Sequence, residues 1–221
     1  MLRKYRKDPN IFALEPMPEY KITYFDCRGT AEAARCCLHY AGIPFEDHQI
    51  AYKDWAQHKK SFLNQKLPVF YEDGKELTQS GAITRYVARL TGLNGKDSWE
   101  EAKADEIYHY FFDAMKSTNV YVHDKCGYNK AKDLNEAYEI FLPIATRALE
   151  YYNNFLIDST NGFALKSGLT YADFVIHAQV KTFKNCDPEL LKKFPKVVEH
   201  FEKIENIPQL QGYFATQNTI N

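Results

Sequence analysis

Between residues 20 and 50 the hydrophobic period changes twice, and no other feature constrains the fold as tightly. KITYF is a short β-rich run. TAEAARCCLHYAG then places Ala31, Ala34, Leu38 and Ala41 at helical spacing before Gly42 and Pro44 close it, and FEDHQIA reads as strand again. A helix between two strands is the crossover that parallel pairing requires, so the stretch predicts a βαβ unit. In LPVFYEDGKELTQ two short runs meet at Asp73-Gly74, the strongest hairpin signal in the chain. SGAITRYVARLTG follows as a helix, with Ser80 as its expected cap and Gly92 at its end.

Residues 53–61, between βαβ and ββα, carry no clear pattern. After Leu93 no strand is predicted. WEEAKADEIYHYFFDAM, DLNEAYEIFLPIATRALEYYNNFL, TYADFVIHAQVKTF and FPKVVEHFEKI all repeat apolar residues three and four apart. The expected organisation is a small α/β domain at 20–94, an all-helical domain at 95–221, and an N-terminal arm at 1–19. Thr170-x-x-Asp173 has capping-box form with Leu169 and Phe174 at the staple positions, so a helix should start there. Pro143 inside a long helical pattern removes a backbone donor and predicts a kink.

Lys plus Arg is 28 against 29 for Asp plus Glu, so the overall field offers no attraction to nucleic acid or an anionic membrane, and no apolar run is long enough for a span. The longest apolar run near the start, IFAL, is too short for a signal-peptide core; Asp8, Pro9 and the lack of serine argue against a mitochondrial address despite Arg3, Lys4, Arg6 and Lys7. Five cysteines without a CxxC suit reduced thiols, hence a cytoplasmic protein, and Cys36, Cys37, Cys126 and Cys186 are expected to pack as small apolar groups.

YKITYFDCRGTAEAAR resembles the sigma-class glutathione transferase opening YKLTYFxxRGxAExxR. FEDHQIAYKDWAQHK is similar to that class's YEDxRIxxxxWxxxK segment, and ELTQSGAITRYVARLTGLNGK to its LxQSxAIxRYLAxxxGLxGK segment. The resemblance runs from about residue 20 to 215. It implies a thioredoxin-like βαβ-ββα domain followed by an all-helical C-terminal domain, glutathione as co-substrate with no metal, hydrophobic electrophiles as second substrates, and a homodimer.

The resemblance puts the activating hydroxyl on Tyr24, donating to the glutathione sulfur. Lowering a thiol from its ordinary ~8.5 by about two units requires roughly 2.7 kcal/mol, and one charge-assisted hydrogen bond supplies about 1.5–3 kcal/mol. The alternatives are that Tyr24, one of 16 tyrosines, only fills a strand position, or that Cys27 is the nucleophile beside Arg28 and a helix N-terminus. The resemblance makes Pro68 cis, so that the Leu67 backbone pairs with the cysteinyl part of glutathione; an ordinary trans proline is the alternative. Gln79 and Ser80 face the γ-glutamyl carboxylate at a helix start, Trp55 and Lys59 the glycine end, and Lys66 a backbone contact, although both lysines also fit solvated surface. The stripe Ile107, Tyr108, Phe111, Phe112, Met115 reads mostly as core and dimer packing, with Met115 and Val120 chosen as pocket lining.

Three departures stand out. Thr30 replaces the arginine of vertebrate sigma enzymes; SFLNQKLP replaces PFGQxP and loses its glycine; and His109, Phe112 and Asp113 occupy positions that are acidic in some members, so no metal site is expected. A dimeric cytosolic glutathione transferase is the leading reading. A glutathione-dependent prostaglandin D isomerase, or a non-catalytic ligand carrier or crystallin-like relative, shares the same sequence features.

Overall fold

A computed structural model describes residues 17–217, so nearly all of the expected arm lies outside the described residues. The chain begins with β1 (Tyr20–Phe25), α1 (Glu32–Tyr40) and β2 (Glu46–Ile50), followed by α2 (Trp55–His58), which is flanked by single 3-10 turns. The hairpin strands β3 (Val69–Glu72) and β4 (Lys75–Thr78) lead to α3 (Ser80–Thr91). Five α-helices complete the described residues: α4 (Ser98–Lys125), α5 (Leu134–Leu156), α6 (Tyr171–Cys186), α7 (Pro195–Glu205) and α8 (Pro208–Thr216). The first half is a mixed four-stranded sheet and the second is helical, as the alternating period required; α8 was not anticipated. No helix among the described residues is long and apolar enough to cross a membrane.

The sheet order is β2-β1-β3-β4. β1 runs parallel to β2, with Tyr24 opposite Gln49, and antiparallel to β3, with Thr23 opposite Val69; β3 pairs Val69 with Thr78 across the Asp73-Gly74 turn. Both turn residues have positive φ, Asp73 at +50° and Gly74 at +77°, as a tight two-residue hairpin demands.

Every α1 residue from Glu32 to Leu38 is buried, because the helix is packed between the sheet domain and α6. Thr170 and Asp173 form the expected capping box at the start of α6. Pro143 lies within α5, which continues through it. α3 departs from expectation at its start: Ser80 is its first helical residue and Gln79 is the cap position. Cys36, Cys37 and Cys186 are buried as expected, whereas Cys126 is only partly so.

Candidate active site

The register of the sheet assembles the centre of the site. Extending the β1–β3 pairing one step beyond Thr23–Val69 sets Pro68 beside Tyr24, and one step beyond Val69–Thr78 sets Gln79 beside Pro68. Three residues at the ends of separate strands thus form a row across one end of the sheet. The Leu67–Pro68 peptide is cis. Gln79 has φ +72° and ψ +112°, a sparsely populated conformation for a residue with a Cβ that typically costs about 1–3 kcal/mol and collects at functional sites. No side chain caps the helix that follows, so the first-turn N–H groups of α3 present an unclaimed anion-binding end.

Tyr24 is 8% exposed. Its hydroxyl accepts hydrogen bonds from Thr30 N–H and from Thr30 Oγ1, both at 3.2 Å. Gly29, at φ +44°, makes this approach possible, since a Cβ there would stand 2.5 Å from the Tyr24 oxygen. The Arg35 guanidinium lies 5.6 Å from the Tyr24 ring centroid. Arg35 also donates to Asp47 Oδ1 (2.9 Å), Cys27 O (2.7 Å) and Phe25 O (3.4 Å), which fixes the loop after β1 against β2. Burial, and after it Cys27, raises the Tyr24 pKa above its ordinary value, while Thr30 and Arg35 pull in the other direction. The group is therefore a phenol at neutral pH, equipped to donate a proton.

Cys27 fits the nucleophile role poorly. Burial pushes its thiol up to about 11 despite a hydrogen bond with Tyr128, which leaves roughly one molecule in ten thousand as thiolate at pH 7.

Trp55 opens α2 and packs edge-on against Phe25 (5.4 Å between centroids), the residue after Tyr24, and against Phe62 (5.8 Å). Lys59 and Lys66 are both exposed, Lys59 one turn beyond Trp55. The loop before Pro68 turns without glycine: Gln65 takes φ +50°, and Asn64 Oδ1 accepts from the Lys66 N–H at 3.1 Å. The Ser80 hydroxyl accepts from Tyr108 Oη at 2.8 Å, tying α3 to α4.

Tyr24 opens onto a cavity of ≈ 260 Å³ enclosed by the loop after β1, the second half of α4, and α6. Phe25, Tyr52, Phe111, Met115 and Phe183 make most of its wall apolar, and no Asp or Glu among the described residues lines it. Met115 lies where expected. Val120 does not: it is 62% exposed, and the wall passes through Asn119 and Val122 instead. With about 100° per residue, Val120 is turned about 140° from Met115 and Asn119 only about 40°. Phe112 is likewise 40% exposed, while Ile107, Tyr108 and Phe111 belong to the core. Sequence reading missed the contribution of α6, where Gln179, Thr182 and Phe183 line the cavity; Thr182, a polar residue amid a buried helical run, was the available signal.

A thioredoxin-like sheet edge with a cis proline, an uncapped helix start and a buried phenol facing an apolar cleft defines a thiol-handling enzyme architecture. The profile described as the glutathione S-transferase N-terminal domain matches residues 20–89, and that of the C-terminal domain matches residues 113–217. Probable glutathione S-transferase 8 of Caenorhabditis elegans is 35% identical over 202 residues, covering 91% of this chain and 98% of its own. Glutathione S-transferase 1 of Ascaris suum is 32% identical, covering 90% and 97%. Among solved structures, the Nu-class enzyme of Haemonchus contortus superposes with a TM-score of 0.80 at 34% identity, covering 91% and 98%. Na-GST-3 of the hookworm Necator americanus, described as monomeric, superposes with a TM-score of 0.83 at 33% identity, covering 90% and 98%. The chain belongs to the glutathione S-transferase family, and is a transferase.

Proposed function

We propose that the protein conjugates the glutathione thiolate to apolar electrophiles, with the Tyr24 phenol holding the sulfur anion in the sigma-class manner. The observation that carries this reading is the phenol's hydrogen-bond inventory: both bonds from Thr30 use oxygen lone pairs, and the proton remains for an acceptor at the cavity. Glutathione supplies the nucleophilic sulfur when bound. Gln79, Ser80 and the start of α3 receive its γ-glutamyl carboxylate, the backbone at Leu67–Pro68 its cysteinyl peptide, Trp55 and Lys59 its glycine end, and Lys66 contacts its backbone. Met115 and Phe111 form the wall against which the electrophile packs.

The test is Tyr24→Phe, assayed for conjugation of 1-chloro-2,4-dinitrobenzene and for thiolate absorbance of bound glutathione against pH. Loss of one charge-assisted hydrogen bond raises the bound thiol pKa by about one to two units. Unchanged turnover together with an unchanged thiol pKa would refute the tyrosine mechanism, and loss of activity in Cys27→Ser would transfer the role to that thiol.

We also infer a homodimer in the cytoplasm. Tyr86 and Leu90 on α3 and Phe112 on α4 are 37%, 38% and 40% exposed, which supports a pairing surface, and five free thiols support a reducing compartment. Sedimentation at the mass of a single 25.7 kDa chain at micromolar concentration would overturn the dimer.

A further inference from the structure

Arg28 is the residue whose chemistry the thiol-activating role leaves unused. It is 4% exposed. Its Nη2 donates to Thr182 Oγ1 on α6 at 3.3 Å, but among the described residues Nε and Nη1 are enclosed without a hydrogen-bond partner. A permanently charged guanidinium is among the most costly groups to enclose without an acceptor, and buried charges are ordinarily paired. On one side Arg28 shares a small cleft with Asp26, Glu32 and Arg35. Neither acid reaches the two unpartnered nitrogens: Glu32 accepts from Tyr213 Oη (2.7 Å) and Gln217 Nε2 (2.5 Å). On the other side Arg28 and Thr182 both line the apolar cavity beside Tyr24, whose wall carries no acidic side chain among the described residues.

We propose that Arg28 receives an anionic group on the second substrate, so that the preferred electrophile is an apolar molecule carrying a carboxylate. This rests on the transferase reading above and deepens it. The carboxylate supplies the acceptor that the protein withholds, while the aromatic wall takes the apolar body. Arg28 anchors from the loop after β1 and Thr182 from α6, so the anion is held where the two halves of the chain meet, next to the phenol.

The test compares 4-chloro-3-nitrobenzoate with 4-chloro-3-nitrobenzamide. In both, the glutathione sulfur bonds to the ring carbon that bears chlorine, and chloride leaves with the electron pair. Only the charge of the remote group differs, and each rate is divided by its uncatalysed rate. Wild-type protein should favour the benzoate at least tenfold in kcat/KM so corrected. Arg28→Gln should reduce that preference at least tenfold, and Arg28→Lys should keep it within threefold of wild type. No preference in wild type, or a preference that survives Arg28→Gln, overturns the proposal.

Calorimetry with the unreactive 4-methyl-3-nitrobenzoate and its amide reads the site without turnover and without a variant. The acid should bind wild type at least tenfold more tightly, about 1.4 kcal/mol, and equal affinities overturn the proposal. Failure of the wild type to conjugate either arene sinks the transferase reading, and the calorimetric comparison then decides Arg28 alone.

Discussion

Asp173→Ala tests whether the junction that sets α6, and with it the far wall of the cavity, depends on one buried carboxylate. Asp173 is fully buried. Its Oδ1 accepts from Ala164 N–H (2.7 Å) and lies 3.0 Å from His200 Nε2, and its Oδ2 accepts from Thr170 N–H (2.8 Å) and Thr170 Oγ1 (3.1 Å). Alanine leaves two enclosed backbone donors without acceptors, at about 1–3 kcal/mol each. It also strips the partner from the buried His200, whose Nδ1 already has none. The expected loss is about 3–5 kcal/mol, the range for breaking a buried polar pair from one side. For a chain of this size that lowers the melting temperature by about 6–20 °C. Urea denaturation measures the free energy directly, provided the m-value is unchanged. Asp173→Asn, which keeps one acceptor oxygen but turns an amide toward donors, should fall between wild type and alanine. A loss under about 1 kcal/mol for Asp173→Ala would refute the claim that this carboxylate holds the helix start.

Gly29→Ala should disable thiol activation by displacing the phenol, because the added methyl group meets Tyr24 Oη at 2.5 Å and Cε1 at 2.7 Å. At least a tenfold fall in conjugation kcat, with glutathione KM changed less, is expected from steady-state kinetics; unchanged kcat would mean that the loop yields freely. The acid limb of stability should depend on Glu205. Burial alone raises its carboxyl, but hydrogen bonds from His177 (2.6 Å) and Lys181 (2.9 Å) outweigh this and bring it down to about 2. A carboxyl depressed in the folded state stabilises above its unfolded value and loses that contribution as pH falls from about 4.5 toward 2. Burial lowers the pKa of His177 as well, so its stabilising effect fades in the same direction, below its ordinary 6.5. Melting temperatures followed from pH 7 to pH 2 should therefore fall on acidification, and Glu205→Gln should flatten the segment below 4.5; an identical slope in both proteins would refute the assignment.

Periodicity and turn chemistry carried most of the fold. The crossover helix forced the parallel β1–β2 pair, and Asp73-Gly74 supplied the two positive φ values of its turn. The short α2 segment escaped because four helical residues between two 3-10 turns are too few to establish a period. Placement was legible where it depends on chain position, as for Tyr24, Pro68 and Gln79 in one row of the sheet. It was illegible where it depends on another element. The loss of arginine at position 30 reads in the sequence as a missing charge. In the folded protein Thr30 gives two hydrogen bonds to the Tyr24 oxygen, and the nearby positive charge comes from Arg35, further along on α1. Similarly, the missing glycine before Pro68 reads as a disturbed loop, yet Gln65 adopts the left-handed conformation itself, with Asn64 bonding across the turn.

These replacements bear on how a phenol is tuned. A cation at position 30 would act on the thiolate through charge, with a reach of several ångströms. The Thr30 donors act on the phenol oxygen alone: by drawing on its lone pairs they polarise the O–H bond, and chained hydrogen bonds strengthen one another by about 10–30% per bond. Under the proposed function, such a device would strengthen the single bond to sulfur without adding a positive charge beside the cavity. The cavity's own cation is then left to Arg28, on the far side of the loop, where it faces α6 through Thr182. On the two proposals above, thiol activation and recognition of a charged second substrate fall to different side chains, Tyr24 with Thr30 for the first and Arg28 with Thr182 for the second. A substitution at either pair should therefore alter one property more than the other, a separation that a single shared arginine could not provide.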